Sequence, residues 1–342
     1  VDKHDFNYFL PPQQIATHPP TQRRDARLMV LDRQNGTVSD HKFVDIVDWL
    51  DSGDLLVFND TRVIPARLYG HKPSGGRIEV LIERIETPHR ATAKVRANRP
   101  PPLGARITVA TTDLEVLSRD GDLFTLGTDA DHPITDLIQT AGHTPLPPYI
   151  DRPDTVADRA RYQSVWARHD GAVAAPTASL HFDNDLLEDI SARGIQTARI
   201  TLHVGAGTYQ SLREGDVNRQ RLHRERLVVD SQTCDAVIKA RARSNRVIAV
   251  GTTVVRSLET AARAAPSGRD IAPYRGETAL FLKPGDRFHV TDAMLTNFHE
   301  PESSLLMLVA AFAGRESVLK AYAHGVAHGY RFLSYGDAMW IA

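Results

Sequence analysis

Apolar and polar positions change rhythm twice along the chain. Between about Val63 and Asp131 they alternate in short runs: "RIEVLIERI", "RATAKVRAN", "ARITVA" and "DLEVLSRDGDLFTLGT". Turn-rich pieces, "KPSGGR", "NRPPPLGA" and "SRDGD", separate these runs. Period-two alternation broken by turns predicts a small antiparallel barrel or sandwich. The segment "HTPLPPYIDRPD" (143–154) carries too much proline for regular structure and reads as the return crossing into another domain.

Beyond it strands and helices alternate. "DLLEDISARG" (185–194) places Leu186, Leu187 and Ile190 on one helical face and stops at Gly194. "TARITLHVG" (197–205) follows as a strand, then "TCDAVIKARARS" (233–244) as a helix, "RVIAVG" (246–251) as a strand and "TVVRSLETAARAA" (253–265) as a helix. This order predicts an α/β layer with a mostly parallel or mixed sheet. "DLLVFNDT" (54–61) is an apolar strand running into polar residues and fits the same sheet. The expected organisation is a mixed α/β domain from 1–62 and 150–342, with a small antiparallel β-barrel inserted over 63–149.

Composition narrows the class. Hydrophobic residues make up 42% and charged residues 24% of the 342 positions, which excludes a disordered chain. No apolar run approaches the ~20 residues of a spanning helix; "SSLLMLVAAFAG" (303–314) is too short. "VDKHDFNYFLPPQQI" lacks the form of a secretory signal. The single cysteine, Cys234, leaves no internal disulfide and no cysteine-based zinc cluster. These features fit a cytoplasmic protein. The formal net charge of −1 argues against a uniformly positive surface. The stretch from Arg213 to Arg246 is nevertheless locally basic, as either a nucleic-acid patch or a solvated helix face.

Ligands of α/β sheets bind outside the carboxyl ends of the strands, and three such ends are polar here. One closes on Asn59, Asp60, Thr61 and Arg62. A second closes on His203, Gly205, Gly207, Thr208 and Tyr209, and a third on Gly251, Thr252 and Thr253. "HVGAGTY" is a weak nucleotide-loop signal, because such a loop should open directly into a helix. "AVGTTVVRSLE" is the better strand–turn–helix; its threonines serve either an anion at the helix N-terminus or an ordinary helix cap. The histidines His181, His203, His223 and His299 show no local metal spacing. His223 and Glu225 would share one face of an extended segment, as a base and its carboxylate. "LTNFHEPESSLLM" sets Asn297 and His299 before Pro301, with Ser303 and Ser304 in capping positions.

Eight segments, in order and spacing, resemble one family: "GDLLVFNDTRVIPARLYG", "GHTPLPPYI", "RYQSVWAR", "GAVAAPTASLHF", "ITLHVGAGTY", "RVIAVGTTVVRSLE", "MLTNFHEPESSLLMLVAAFAG" and "YRFLSYGDAM". It is the S-adenosylmethionine:tRNA ribosyltransferase-isomerase family of queuosine biosynthesis, and the resemblance runs from about Asp5 to the C-terminus. It implies a mixed α/β domain with an inserted β-barrel. It also implies transfer of the ribosyl part of S-adenosylmethionine to 7-aminomethyl-7-deazaguanine at the tRNA wobble position, giving epoxyqueuosine with loss of adenine and methionine.

In that light His203, or His223 with Glu225, is expected as the base that removes the C5′ proton, and Asp60 or His299 as the donor to departing adenine. Tyr209, Tyr335 and Asp337 are expected around the sulfonium. The cofactor set also takes in Gly205, Gly207, Thr208, Gly251, Thr252, Thr253 and Asn297. "GAVAAPTASLHF" is expected as a close wall against a flat purine or ribose, turned by Pro176 and closed by His181. The implied partner is a tRNA with a GUN anticodon, met at Arg62, Arg67, Arg241 and Arg243, by a monomer without metal. Ser179, Ala206 and Glu302 stand where the family more often has glycine, leucine, and lysine or another residue. A methyltransferase or a non-catalytic tRNA-binding protein is the alternative.

Overall fold

The computed structural model describes residues 2–209, 212 and 222–342. The strands, in chain order, are β1 (Arg27–Leu31), β2 (Val38–Lys42), β3 (Leu55–Asn59) and β4 (Thr61–Val63). The barrel strands follow: β5 (Arg67–His71), β6 (Arg77–Thr87), β7 (Arg90–Arg96), β8 (Arg106–Val109), β9 (Thr112–Asp120) and β10 (Leu123–Gly127). The remainder are β11 (His169–Ala172), β12 (Gln196–Leu202), β13 (Glu225–Val229), β14 (Val247–Val250), β15 (Tyr274–Thr278), β16 (Ala293–Asn297) and β17 (Ala338–Ile341).

Nine of them form one mixed sheet in the order β15-β13-β12-β3-β14-β16-β17-β1-β2. β12, β3, β14 and β16 run parallel to one another, so Leu202, Asn59, Val250 and Asn297 finish at the same edge. β3 is buried along its whole length, as a central parallel strand with both faces covered must be. Its alternate residues enter two cores. Leu55 and Val57 meet Cys234, Val237, Val254, Val255 and Leu258 from the helices Ser231–Ala242 and Thr252–Arg263. Leu56 and Phe58 meet Phe43, Ile46, Phe182, Leu186 and Ile190 on the other face.

Local chemistry sets the helix ends. Asp183 accepts from the Leu186 N–H at 3.0 Å and opens Asn184–Ala192, while Gly194 beyond it takes φ +79°. Ser303 accepts from the Leu306 N–H at 3.2 Å and opens Ser304–Ala313.

β5 to β10 close into an antiparallel barrel in the order β10-β7-β6-β5-β8-β9. β6 buries Ile78, Val80 and Ile82 on alternate positions, and the helix Ile134–Ala141 adds Ile134, Leu137 and Ile138 to the same core. The barrel lies between β4 and β11, which pair in parallel. It therefore enters and leaves the α/β domain through one two-stranded neck. Val173 and Ala206 of the α/β domain join the barrel core. The barrel's Glu83 accepts from the Ala206 N–H at 3.0 Å. That packing gives Ala206 a reason to be small.

Candidate active site

Two cavities meet at the carboxyl edge of β12, β3, β14 and β16. The wider, of about 480 Å³, opens between the barrel and the α/β domain and is lined by Glu83, Lys94, His203, Gly205, Gly207 and His223 among others. The narrower, of about 80 Å³, is walled by Ala174, Ala175, Pro176, Thr177 and Ala178 and faces Gly251, Thr252, Thr253, Asn297 and His299. Thr208, Glu225, Arg256 and Leu305 line both, so the two form one cleft.

The narrow part owes its shape to small side chains. Ala178 lies 3.6 Å from where a Cβ on Gly251 would stand, and Gly251 holds φ +103°. A larger residue at either place would close the space. Gly251 is also the N-cap of Thr252–Arg263, with no side-chain cap. Of the two readings of the threonines, the capping one falls away: they lie inside the helix as its first two residues. Val254 and Val255 N–H return to the Gly251 carbonyl, which leaves the Thr252 and Thr253 N–H groups at the cavity as donors beside a positive helix end.

His203 is held from two sides. Its Nδ1 lies 2.8 Å from Thr61 Oγ1, and that hydroxyl donates to the His169 carbonyl. When the hydroxyl donates to the His169 carbonyl, 3.5 Å away, the Thr61 oxygen accepts Nδ1–H and Nε2 carries the lone pair. Gly171, at φ +146°, passes so close that a Cβ would meet the imidazole at 2.9 Å. Burial, Arg226 and His169 together push the His203 pKa below its usual value. The ring is therefore neutral near pH 7, with Nε2 able to accept a proton.

The other expected groups separate. Both oxygens of Glu225 are committed, one accepting from the Gly205 N–H at 3.2 Å and the other from Arg256 Nη1. Of the expected His223–Glu225 pair, Glu225 also serves Arg256, and both residues line the same cavity. The His223 ring packs against Gly207, whose absent Cβ would stand 2.3 Å from it.

His299 Nε2 bonds Thr296 Oγ1 at 2.8 Å, its backbone N–H donates to Tyr322 and its carbonyl accepts from Tyr8. Complete burial pushes its pKa down to about 3, which removes it as an acid. Asp60 accepts from Thr201 Oγ1 at 2.6 Å and faces an outer groove rather than the cleft.

Tyr335 donates to Asp158 at 2.8 Å, and Asp337 accepts from the Arg27 and Arg331 N–H groups. Both are structural and neither lines the cleft, so the sulfonium expectation is corrected for them. Tyr209 remains, beside Tyr149 with ring centroids 6.1 Å apart. His181 packs behind the wall, its Nε2 3.1 Å from Asn297 Oδ1 and its ring on Phe43.

Two groups in the cleft escaped the sequence reading. Arg256 is buried, and with Nη1 on Glu225 and Nε on the Leu280 carbonyl its Nη2 has no partner. Its position within "TTVVRSLE", one turn into the helix that starts at the cavity, was the available signal. Glu300 lines the narrow cavity, and burial raises its pKa; nothing in "HEPESS" distinguished it from an exposed acid.

Of the expected phosphate contacts, Arg62 reaches Asp170 and the Ala167 carbonyl, Arg67 reaches Glu79, and Arg241 reaches Asp270 and Asp292. Only Arg243 of the four joins no ion pair among the described residues. Arg213, Arg219 and Arg221 of the basic stretch lie outside the described residues. Glu302 bonds His4 at 2.9 Å, away from the cleft, and Ser179 Oγ is buried without a partner. No helix is long and apolar enough to cross a membrane among the described residues.

A mixed α/β sheet with a barrel inserted through one neck, and a cleft where the two meet at the strand ends, defines a two-domain α/β ligand-binding protein of a specific build. The family model described as queuosine biosynthesis protein matches residues 3–341. The chain belongs to that family. It is also similar to the crystal structure of the S-adenosylmethionine tRNA ribosyltransferase of Thermotoga maritima, with 34% identity, 99% of this chain and 100% of that chain covered, and a TM-score of 0.57.

Proposed function

We propose that this protein transfers and isomerises the ribosyl group of S-adenosylmethionine onto 7-aminomethyl-7-deazaguanine at the wobble position of a GUN-anticodon tRNA. The products are epoxyqueuosine-tRNA, adenine and methionine. The observation that carries this reading is His203, its Nδ1 2.8 Å from the Thr61 hydroxyl, in a cleft with one narrow and one wide compartment.

The narrow compartment suits the purine, flat against Ala174–Ala178, with the Thr252 and Thr253 N–H groups as donors to its ring nitrogens or to ribose oxygens. Tyr149 and Tyr209 offer faces to the sulfonium, and Glu300 a nearby carboxylate. The unpartnered Nη2 of Arg256 suits the methionine carboxylate, with Glu225 fixing the guanidinium. The sulfonium acidifies the adjacent C5′ proton. As His203 Nε2 takes it, the C4′=C5′ bond forms and the C4′–O4′ bond breaks. The freed O4′ closes to a C1′ carbonyl as the bond to adenine breaks, and adenine takes a proton from water. The wide compartment admits the modified base from the barrel side, and the protein acts in the cytoplasm as a monomer.

The test is adenine released from S-adenosylmethionine, with and without tRNA bearing the aminomethyl base, followed by mass analysis of the tRNA nucleosides. Adenine with epoxyqueuosine is the expected result. S-adenosylhomocysteine instead would make the protein a methyltransferase, and tRNA binding without turnover would make it a binding module.

A further inference from the structure

β12, β13 and β15 are covered on one face only. Ile200, Leu202, Leu227 and Val229 enter the helix-covered core. Alternation turns Arg199, Thr201, Arg226, Val228 and Arg275 to the opposite face. The register sets Thr201 beside Val228 and Val228 beside Arg275. Arg226 and Arg275 are exposed. A groove of about 1050 Å³ runs along this side past Arg168, Arg199 and Arg275 to Lys239 and Arg243, and His203 lines both the groove and the cleft.

Arg168, Arg199, Arg226, Lys239, Arg243 and Arg275 join no ion pair among the described residues. Other arginines meet carboxylates, as Arg67, Arg84, Arg152, Arg241, Arg246 and Arg256 do, while others such as Arg77, Arg90 and Arg96 on the barrel stand unpaired too among the described residues. What sets the present group apart is its gathering beside one groove. Of the acids near the open face, Asp60 and Asp230 line the groove as well, and Glu277 is engaged beside it. Asp60 accepts from Thr201, and Glu277 is shared by Arg84 and Arg224. Arg199 lies over the Trp166 ring at 4.2 Å; burial and then Arg168 disfavour its charge, and Asp60 favours it. Stacking holds this cation in place without neutralising it. The unpaired cations of the open sheet face, Arg199, Arg226 and Arg275, with Lys239 and Arg243 from the end of the helix Ser231–Ala242 beside the same groove, suit a polyanion from outside.

We infer that the open face of β12, β13 and β15 is a track for the phosphate backbone of the RNA substrate, leading to the cleft at His203. The inference rests on the proposed tRNA-modifying activity. A base treated inside the cleft remains joined to its neighbours on both sides, so the flanking backbone must leave past the rim. The groove that begins at His203 offers an exit lined with cations.

The experiment measures tRNA affinity against salt between about 50 and 200 mM for the full chain, an Arg226→Gln/Arg275→Gln double variant and a triple variant adding Arg199→Gln. Arg241→Gln, whose charge is held by Asp270 and Asp292, is the control. The double variant changes exposed side chains alone, so it remains decisive should the triple variant fold poorly. We expect log–log salt slopes flatter by about two for the double and about three for the triple variant, with affinity about 10- to 100-fold weaker, and an unchanged control. Recovery of activity at saturating tRNA is read on Arg275→Gln alone, because Arg226 also acts on His203. Wild-type slope and affinity in the double variant, with tRNA-dependent adenine release intact, would overturn the track and leave the enzyme reading standing. A wild-type protein that neither binds tRNA nor releases adenine would overturn both.

Discussion

His203 and His299 sit at the ends of parallel strands of the same sheet, and each places a ring nitrogen 2.8 Å from a threonine hydroxyl. Their surroundings then diverge. His203 lies between the barrel and the outer groove, with Arg226 and His169 pressing its pKa down and Asp60 and Asp170 opposing. His299 is buried in the wall of the narrow cavity, tied through its backbone to Tyr322 and Tyr8, and burial alone takes its pKa to about 3. The same pairing thus makes a candidate base where neighbouring charges tune the ring, and a neutral group fixed in the wall of the narrow compartment where burial alone acts on it.

The sharpest way to break this contrast is to exchange the two rings for smaller side chains. His203→Ala should lower adenine release by about 100- to 10,000-fold, the usual range for a lost general base. Its Tm should stay close to wild type. His299→Ala should do the reverse, costing about 2–4 kcal/mol in a packed interior and lowering Tm while the surviving folded enzyme turns over. Equal losses of activity with equal losses of stability would erase the distinction.

Arg256→Ala should come next in size. It strands the Glu225 carboxylate in a buried position, a change that costs about 3–5 kcal/mol when one partner of such a pair is removed. Arg256→Lys keeps a charge but loses the fork that serves Glu225 and the cavity together. It should retain most of the stability and raise KM for S-adenosylmethionine. A KM that follows wild type would take Arg256 out of the ligand's reach.

Acid should separate the histidines too. A histidine whose folded pKa is depressed binds its proton more readily when unfolded. The stability from His299 is therefore full above about pH 6.5 and declines as pH falls towards about 3. His181, pushed down to about 4 by burial, adds to the same decline. Tm should drop through this window, and less steeply in His299→Gln. The acid limb of the turnover profile should report His203 instead, lying below about pH 6.5 and absent from any residual activity of His203→Ala.

The sequence disclosed the architecture better than the chemistry. Alternation in β6 and β7 and the strand–helix texture after residue 185 are local patterns, and they foretold a barrel and an α/β sheet. The small residues from Ala174 to Ala178 do line the cleft. Ion pairing is not local. Nothing in the sequence linked Arg241 to Asp270 and Asp292, Arg67 to Glu79, or Glu225 to Arg256. Three arginines expected to meet phosphate are engaged within the protein, while Arg199, Arg226 and Arg275 go unpaired. Tyr335 and Asp337 stood in a motif whose work is structural, since a motif records shared residues without saying which way they face.

The finest test of the contrast lies in the hydroxyl beside His203. Thr61→Val keeps the shape of the side chain and removes the acceptor for Nδ1–H. The imidazole would then be free to place its proton on either nitrogen, and a share of the molecules would present N–H rather than a lone pair to the cleft. Thr61→Ser restores the acceptor. Turnover should fall by about 10-fold or less in Thr61→Val, consistent with one lost hydrogen bond of about 1 kcal/mol, and recover in Thr61→Ser. The KM for S-adenosylmethionine should stay unchanged in both, because a threonine that only sets the tautomer acts on the proton-transfer step and not on ligand binding. A matching Thr296→Val change should leave turnover alone and lower Tm, since on that side the hydroxyl holds a strut. Were Thr61→Val and Thr296→Val to move the same quantity, the two histidines would be doing the same job.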